Sequence, residues 1–195
     1  MRRLLLATRN AHKLAEARAI LAAASVAVVG ADEAGLPDVA ETGTTFEENA
    51  LIKARAGFAH TGLPTLADDS GLCIRALNDA PGVYSARFAQ QNGGYPAVFE
   101  VIQRRLGNAS DRSAFFKCCI AFAAGAEHHF FTGEVHGRIA PEARGGKLFG
   151  YDPIFVPDGY AQTFGELDER VKNALSHRAR ALEKLVAFLA RGAAG

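Results

Sequence analysis

Hydrophobic and polar positions along this chain follow two rhythms. Arg3 to Ala7 is an unbroken apolar run and predicts a strand, while Asn10 to about Ala23 is rich in Ala, Leu, Lys and Glu, with Leu14, Arg18 and Leu21 at helical spacing. Ser25 to Val29 predicts a second strand, followed by a loop through Gly30, Gly35 and Pro37. A helix is expected to run to about His60, opened by Thr44 or Thr45 with Glu47 or Glu48 three residues on, the pattern of a capping box. Leu63 to Ala67 predicts a short buried strand, and the apolar character resumes at Gly71-Leu72-Cys73-Ile74. Between them Asp68-Asp69-Ser70-Gly71 is expected to be a turn at a strand end.

Ala80-Pro81-Gly82 starts a turn that leads into an aromatic segment without a clear period, and Pro96 to Leu106 predicts a helix with Val98, Val101, Ile102 and Leu106 inward. Ala114 to Ala124 and His128 to Gly137 predict an antiparallel hairpin around Gly125-Ala126-Glu127. His128 and His129, adjacent in a strand, are expected at the surface. Ile154-Phe155-Val156 predicts a short strand, and Phe164 to Asn173 a polar stretch of helical character. A final helix is expected from about Lys172, with Ser176 as its N-cap and Leu182, Leu185, Val186 and Leu189 as its buried stripe. His177 and Arg178 in its first turn oppose the helix dipole, so something acidic or electron-rich is expected beside them.

Composition narrows the class. With 195 residues, 49% of them hydrophobic, the chain can bury a substantial core as one domain over 1–195, two-lobed at most. A formal charge of +1 with interspersed signs offers no basic stripe for a polymeric nucleic acid. The apolar run after Met1-Arg2-Arg3 ends at Thr8, short of a signal-peptide core, and no window suits a bilayer, so a cytoplasmic protein with no membrane partner is expected. Three cysteines without a Cys-x-x-Cys pair read as reduced packing residues, and any metal is expected on oxygen ligands.

Candidate chemistry sits at the ends of these elements. Thr8-Arg9-Asn10-Ala11-His12-Lys13 joins a strand to a helix start, where backbone N–H groups and Lys13 can meet an anion. Lys53 lies two turns into the second helix and could reach a phosphate or be solvated. Asp68 and Asp69 would face opposite sides of a strand, which leaves one of them as the main chemical residue. Glu41 is left outside the capping box. Gly145 to Pro153 packs glycines around Phe149 and Tyr151, which suits a flat ligand such as a nucleobase or else a core turn.

Thr8-x-Asn10-x-x-Lys13, Glu41-Thr42-Gly43-x-Thr45-Phe46-x-Glu48-Asn49, Ala67-Asp68-Asp69-Ser70-Gly71-Leu72, Pro81-Gly82-x-Tyr84-Ser85-Ala86-Arg87, Phe149-Gly150-Tyr151-Asp152-Pro153-x-Phe155 and Ser176-His177-Arg178 follow one another in order. Together they closely resemble the inosine triphosphate pyrophosphatase family, from about residue 5 to about 188. The resemblance implies an α/β fold, a long mixed and mostly antiparallel sheet flanked by helices, in two lobes with a central active-site cleft. It implies hydrolysis of ITP, dITP and XTP to the monophosphate and pyrophosphate, by a homodimer using Mg²⁺. By similarity Asp69 would accept the proton and lie near the metal, with Glu41 a metal ligand; Thr8, Arg9, Asn10, Ala11, His12, Lys13, Lys53 and Ser70 would hold phosphates; and Phe149, Gly150, Tyr151, Asp152, Lys172, His177 and Arg178 would hold the base. N–H donors on Lys172, His177 and Arg178 would favour a 6-oxo over a 6-amino purine. A nucleotide-binding sensor, or a pyrophosphatase for other damaged nucleotides, remains the alternative.

Overall fold

The computed structural model describes residues 2–146 and 149–191; Met1 and, in the glycine-rich stretch, Lys147 and Leu148 lie outside the described residues. Strand β1 (Arg2–Leu6) leads into helix α1 (Ala11–Ala22), and β2 (Val26–Gly30) returns parallel to β1. Helix α2 (Phe46–Thr61) follows the loop after β2, and β3 (Thr65–Ile74) pairs parallel to β1 on its other side. The two-residue β4 (Ala80–Pro81) pairs antiparallel with β3 and precedes helices α3 (Ser85–Gln91) and α4 (Tyr95–Leu106). Strands β5 (Ser113–Ala124) and β6 (Glu127–Ile139) are sheet neighbours joined by two residues, a connection only antiparallel strands can use. β7 (Phe155–Pro157) pairs antiparallel with β6, and α5 (Glu169–Leu175) and α6 (His177–Arg191) end the described chain. The fold is thus α/β: a mixed sheet of seven strands among the described residues, in the order β2-β1-β3-β5-β6-β7 with β4 beside β3, flanked by helices.

The chain divides into two compact units. The first takes residues up to Asp69, Cys118–Gly133 and the chain from Arg178 on; its core joins Leu4 and Leu6 of β1, Leu21 of α1, Leu66 of β3, Ile120 of β5 and Leu182 and Leu185 of α6. The second takes Ser70–Lys117 and Glu134–His177, with its own core of Leu72, Ile74, Ile102, Phe116, Ile139, Phe155 and Phe164.

Most of the expected elements are present, with informative shifts. Asn10 caps α1, its side chain accepting from the amides of His12 and Lys13. The α2 capping box is closed by Thr45 and Glu48. Asp68-Asp69-Ser70-Gly71 is no turn: β3 runs through it without a break. Gly71 is there for room, since a Cβ would stand 2.2 Å from the carbonyl oxygen of Gly82. On α4 Phe99 is buried with Val98, Ile102 and Leu106, where Val101 is only half-buried. Lys172 lies in α5, a helix of its own rather than the start of the last one, and α6 begins at His177. Cys73, Cys118 and Cys119 are free and buried, and burial pushes the Cys73 thiol up to about 12. No helix among the described residues is long and apolar enough to cross a membrane.

Candidate active site

In the first unit three elements deliver charge to the same stretch of β3. Ala7 N–H donates to the Leu66 carbonyl, which brings the end of β1, and so the start of α1, level with Asp68. One turn into α1, Lys13 Nζ lies 2.9 Å from Asp68 Oδ2. Residues 49, 53 and 57 of α2 share one face at i, i+4 and i+8. Gly57 carries no side chain where α2 meets β1 and β3, since a Cβ there would stand 2.7 Å from Thr65 and 2.8 Å from Leu5. That close approach lets Lys53 Nζ donate to the Asp68 carbonyl oxygen at 2.7 Å and to Glu41 Oε1 at 2.6 Å. Asn49, fully buried, donates to Asp69 Oδ2 at 3.2 Å and accepts from the Gly43 amide at 2.8 Å, tying the loop that carries Glu41 to the strand that carries Asp69.

Arg178, at the start of α6, is buried with its Nε 3.1 Å from Asp68 Oδ2 and its Nη1 2.8 Å from Glu16 Oε2. The acid expected beside this early-helix cation is therefore Asp68 with Glu16.

The two neighbouring aspartates, 3% and 7% exposed, sit in opposite electrostatic settings. Burial alone would raise the pKa of Asp68, but Lys13, Arg178 and Lys53 hold it well below the usual carboxylate range. For Asp69 burial wins; Glu41 adds to it, Lys53 and the Asn49 hydrogen bond oppose it, and the result is about 6. The cluster holds three cations, Lys13, Lys53 and Arg178, against four carboxylates, Glu16, Glu41, Asp68 and Asp69. Asp69 lies beside the Glu41 carboxylate, and a pair of carboxylates is the kind of oxygen ligand that suits a hard cation. Among the described residues no group of three or more His, Cys, Asp or Glu is placed to hold a metal.

A cavity of about 220 Å³ opens beside this cluster, lined by Thr8, Lys13, Glu41 and Lys53 together with Leu36 and Val39. Arg9 forms part of its wall, with Nε 2.9 Å from Asp32, Nη2 donating to the Leu36 carbonyl at 2.7 Å and a further ion pair to Asp38. Asn10, Ala11 and His12 are exposed at the start of α1, where the Asn10 cap occupies the amides of His12 and Lys13. The charged groups that line the cavity beside this corner are therefore side chains, Lys13 and Lys53 among them.

The second unit holds the other expected residues. Lys172 pairs with Asp152 and lies over the Phe149 ring, 5.1 Å from its centre. His177 stacks on Phe116, with ring centres 5.0 Å apart and planes 11° from parallel. Tyr151 is a core residue, 3% exposed, and its hydroxyl donates to the Ser85 carbonyl at 2.8 Å. Phe149 and Gly150 are half-buried, as is Ser70 on β3. Tyr95, which sequence reasoning passed over, meets the Tyr151 ring edge-on at 5.1 Å. Asn49, quoted within the Glu41 motif, was given no role, and Glu16 was passed over; a polar residue on the inner face of a helix was the available signal.

The family model that matches this chain is that of the Ham1 family, over residues 4–188. A dITP/XTP pyrophosphatase of Streptomyces coelicolor is 48% identical over 195 residues, covering 95% of this chain and 96% of that one. One of Coxiella burnetii is 45% identical over 97% of each chain. The solved structure of a HAM1 protein from Coxiella burnetii matches with a TM-score of 0.92 at 44% identity, over 98% of this chain and all of that one. The Staphylococcus aureus Ham1 protein matches with a TM-score of 0.89 at 38% identity, over 98% of this chain and all of that one.

Proposed function

The chain belongs to the Ham1 family, and from that premise we propose that it is a nucleoside triphosphate pyrophosphatase that hydrolyses ITP, dITP and XTP to the monophosphate and pyrophosphate. The names of its relatives support the reaction and the substrate class. The observation that carries the reading is the divergence of Asp68 and Asp69: one carboxylate locked among cations, its neighbour poised near pH 6 beside a second carboxylate.

In this reading Asp69 takes the proton of the water that attacks the α-phosphorus, and a carboxylate near 6 is ionised yet basic enough at neutral pH to do so. Glu41 and Asp69 would hold Mg²⁺, which when bound supplies charge neutralisation on the phosphates and acidifies water. Asn49 keeps the Asp69 carboxylate oriented and links it to the Glu41 loop. Lys13 and Lys53 take the phosphate chain, with Thr8 at the cavity wall and Ser70 on the next residue of β3. For the base, Phe149 offers a half-buried face, while Lys172 and His177 offer N–H donors to a 6-oxo group. Arg178 enters through its bond to Asp68. A homodimer in the cytoplasm is the setting that goes with this reading.

The test is pyrophosphate release from inosine, xanthosine, guanosine, adenosine and cytidine triphosphates, each with Mg²⁺ and with chelator. Metal-dependent release concentrated on inosine and xanthosine triphosphates is expected. Equal rates across the panel would remove the 6-oxo readout, and tight binding without release would make the chain a sensor.

A further inference from the structure

Lys13, the cation at the mouth of the phosphate cavity, points away from solvent onto a carboxylate: its Nζ is 2.9 Å from Asp68 Oδ2, and both side chains are largely buried. That same oxygen is shared with Arg178 Nε at 3.1 Å, while Oδ1 of Asp68 is buried and accepts no hydrogen bond among the described residues. One carboxylate oxygen thus serves two cations and the other is spare. The carbonyl of Asp68 holds Lys53 as well, so a single residue gathers the cations of the phosphate side. None of this geometry needs Asp68 at the reacting atoms.

We propose that Asp68 is a resident anion that competes with the phosphates of substrate and product for Lys13, a positioning residue that surrenders the ammonium to an incoming triphosphate and reclaims it to release pyrophosphate. Arg178 makes the exchange tolerable. When Lys13 leaves, a guanidinium backed by Glu16 remains on Asp68, and the spare Oδ1 lets the carboxylate and the guanidinium engage through two bonds instead of one. Without that reserve the departure of Lys13 would strand a buried charge, which is strongly unfavourable. Glu16, outside every motif of the sequence, is then part of the same device as the outermost counter-ion.

The inference rests on the reading of Lys13 as a phosphate ligand, and its test separates the two. The probe is inorganic tripolyphosphate titrated calorimetrically without metal, which has no base and undergoes no turnover. Asp68→Asn is expected to bind it about tenfold tighter than the unaltered chain, the size of effect a charge-assisted hydrogen bond commands. Pyrophosphate is expected to bind tighter as well, and in steady state KM and kcat for inosine triphosphate should fall together as product release slows. Combining Asp68→Asn with Lys13→Ala should erase the gain, which a general rise in positive charge would not do. Glu16→Gln, which leaves β3 untouched, should tighten tripolyphosphate binding in the same direction by a smaller factor and serves if Asp68→Asn does not fold. Unchanged or weaker binding by Asp68→Asn, a gain that survives Lys13→Ala, or no binding by any of these proteins overturns the role. A kcat collapse with unchanged tripolyphosphate affinity would place Asp68 at the metal or the water instead. If the unaltered chain binds tripolyphosphate yet hydrolyses no nucleotide, the enzymatic reading fails while the role of Asp68 stands.

Discussion

Asp69 carries a cost in the resting protein that its neighbour does not. Its carboxyl has a folded pKa near 6 against an ordinary value of 3.8, so between those values the folded state binds the proton more tightly than the unfolded one. Stability from this group is present below about pH 4 and lost as pH rises through 6, a penalty of about 3 kcal/mol at neutral pH. In metal-free protein Asp69→Asn should therefore raise stability at pH 8 while abolishing turnover by roughly 10²–10⁴-fold, and the stabilisation should vanish at pH 4; denaturant melts at the two pH values check it. Asp68 runs the opposite way: its depressed pKa adds stability above about pH 4 that disappears as pH falls below it. His177→Ala is expected to lower kcat/KM for inosine triphosphate by roughly 10²-fold while changing the residual ATP rate far less. An equal loss for both nucleotides would argue against base readout. Of these residues the sequence showed the carboxylates and their opposed faces, because strand alternation is local. Alternation alone could not say which was which, and only the resemblance pointed to Asp69; in the structure the two are told apart by Lys13, Arg178 and Asn49, drawn from three helices.

Elements with a strong local signal were readable, α1 from its helix-forming composition, α4 from its period and the β5–β6 pair from two apolar runs about a short glycine turn, and the Thr45–Glu48 box of α2 could be named to within one residue. Thr45→Ala should cost about 1 kcal/mol, seen as a lower melting temperature with activity per folded molecule little changed. What misled was Ser70-Gly71. A glycine required for a left-handed turn and a glycine required for space look alike in a sequence, and only the approach of Gly82 to β3 tells them apart. Gly71→Ala is accordingly expected to destabilise the protein by about 1–3 kcal/mol, since the clash is with backbone and no side chain can step aside. Lys172 was assigned to the last helix for a related reason: Ser176 breaks the helical run at one residue, too short an interruption for periodicity to register.

At the scale of the whole molecule, each unit owns a closed hydrophobic core, while β3, β5 and β6 contribute residues to both. The proposed metal ligands Asp69 and Glu41 lead to an expected response of the whole molecule to divalent cations. Mg²⁺ at millimolar concentration should raise the melting temperature at pH 8, fail to do so in Asp69→Asn, and lose its effect as Asp69 is protonated below pH 6; thermal melts with and without chelator decide it. Neither core was visible as such in the sequence, since each is a sum over segments far apart in the chain. The uninterrupted course of β3 has a last consequence, for changes in chain length rather than in residue type. Its pleat sends consecutive side chains to opposite faces, so deleting one residue such as Ala67, with the strand ahead of it held in register, would move Asp69 to the place of Asp68, Asp68 to that of Ala67 and Ser70 to that of Asp69, each onto the face opposite its own. A scan of single-codon deletions should find this strand intolerant at every position ahead of the pair, while the loop between β2 and α2 absorbs such losses at its exposed positions.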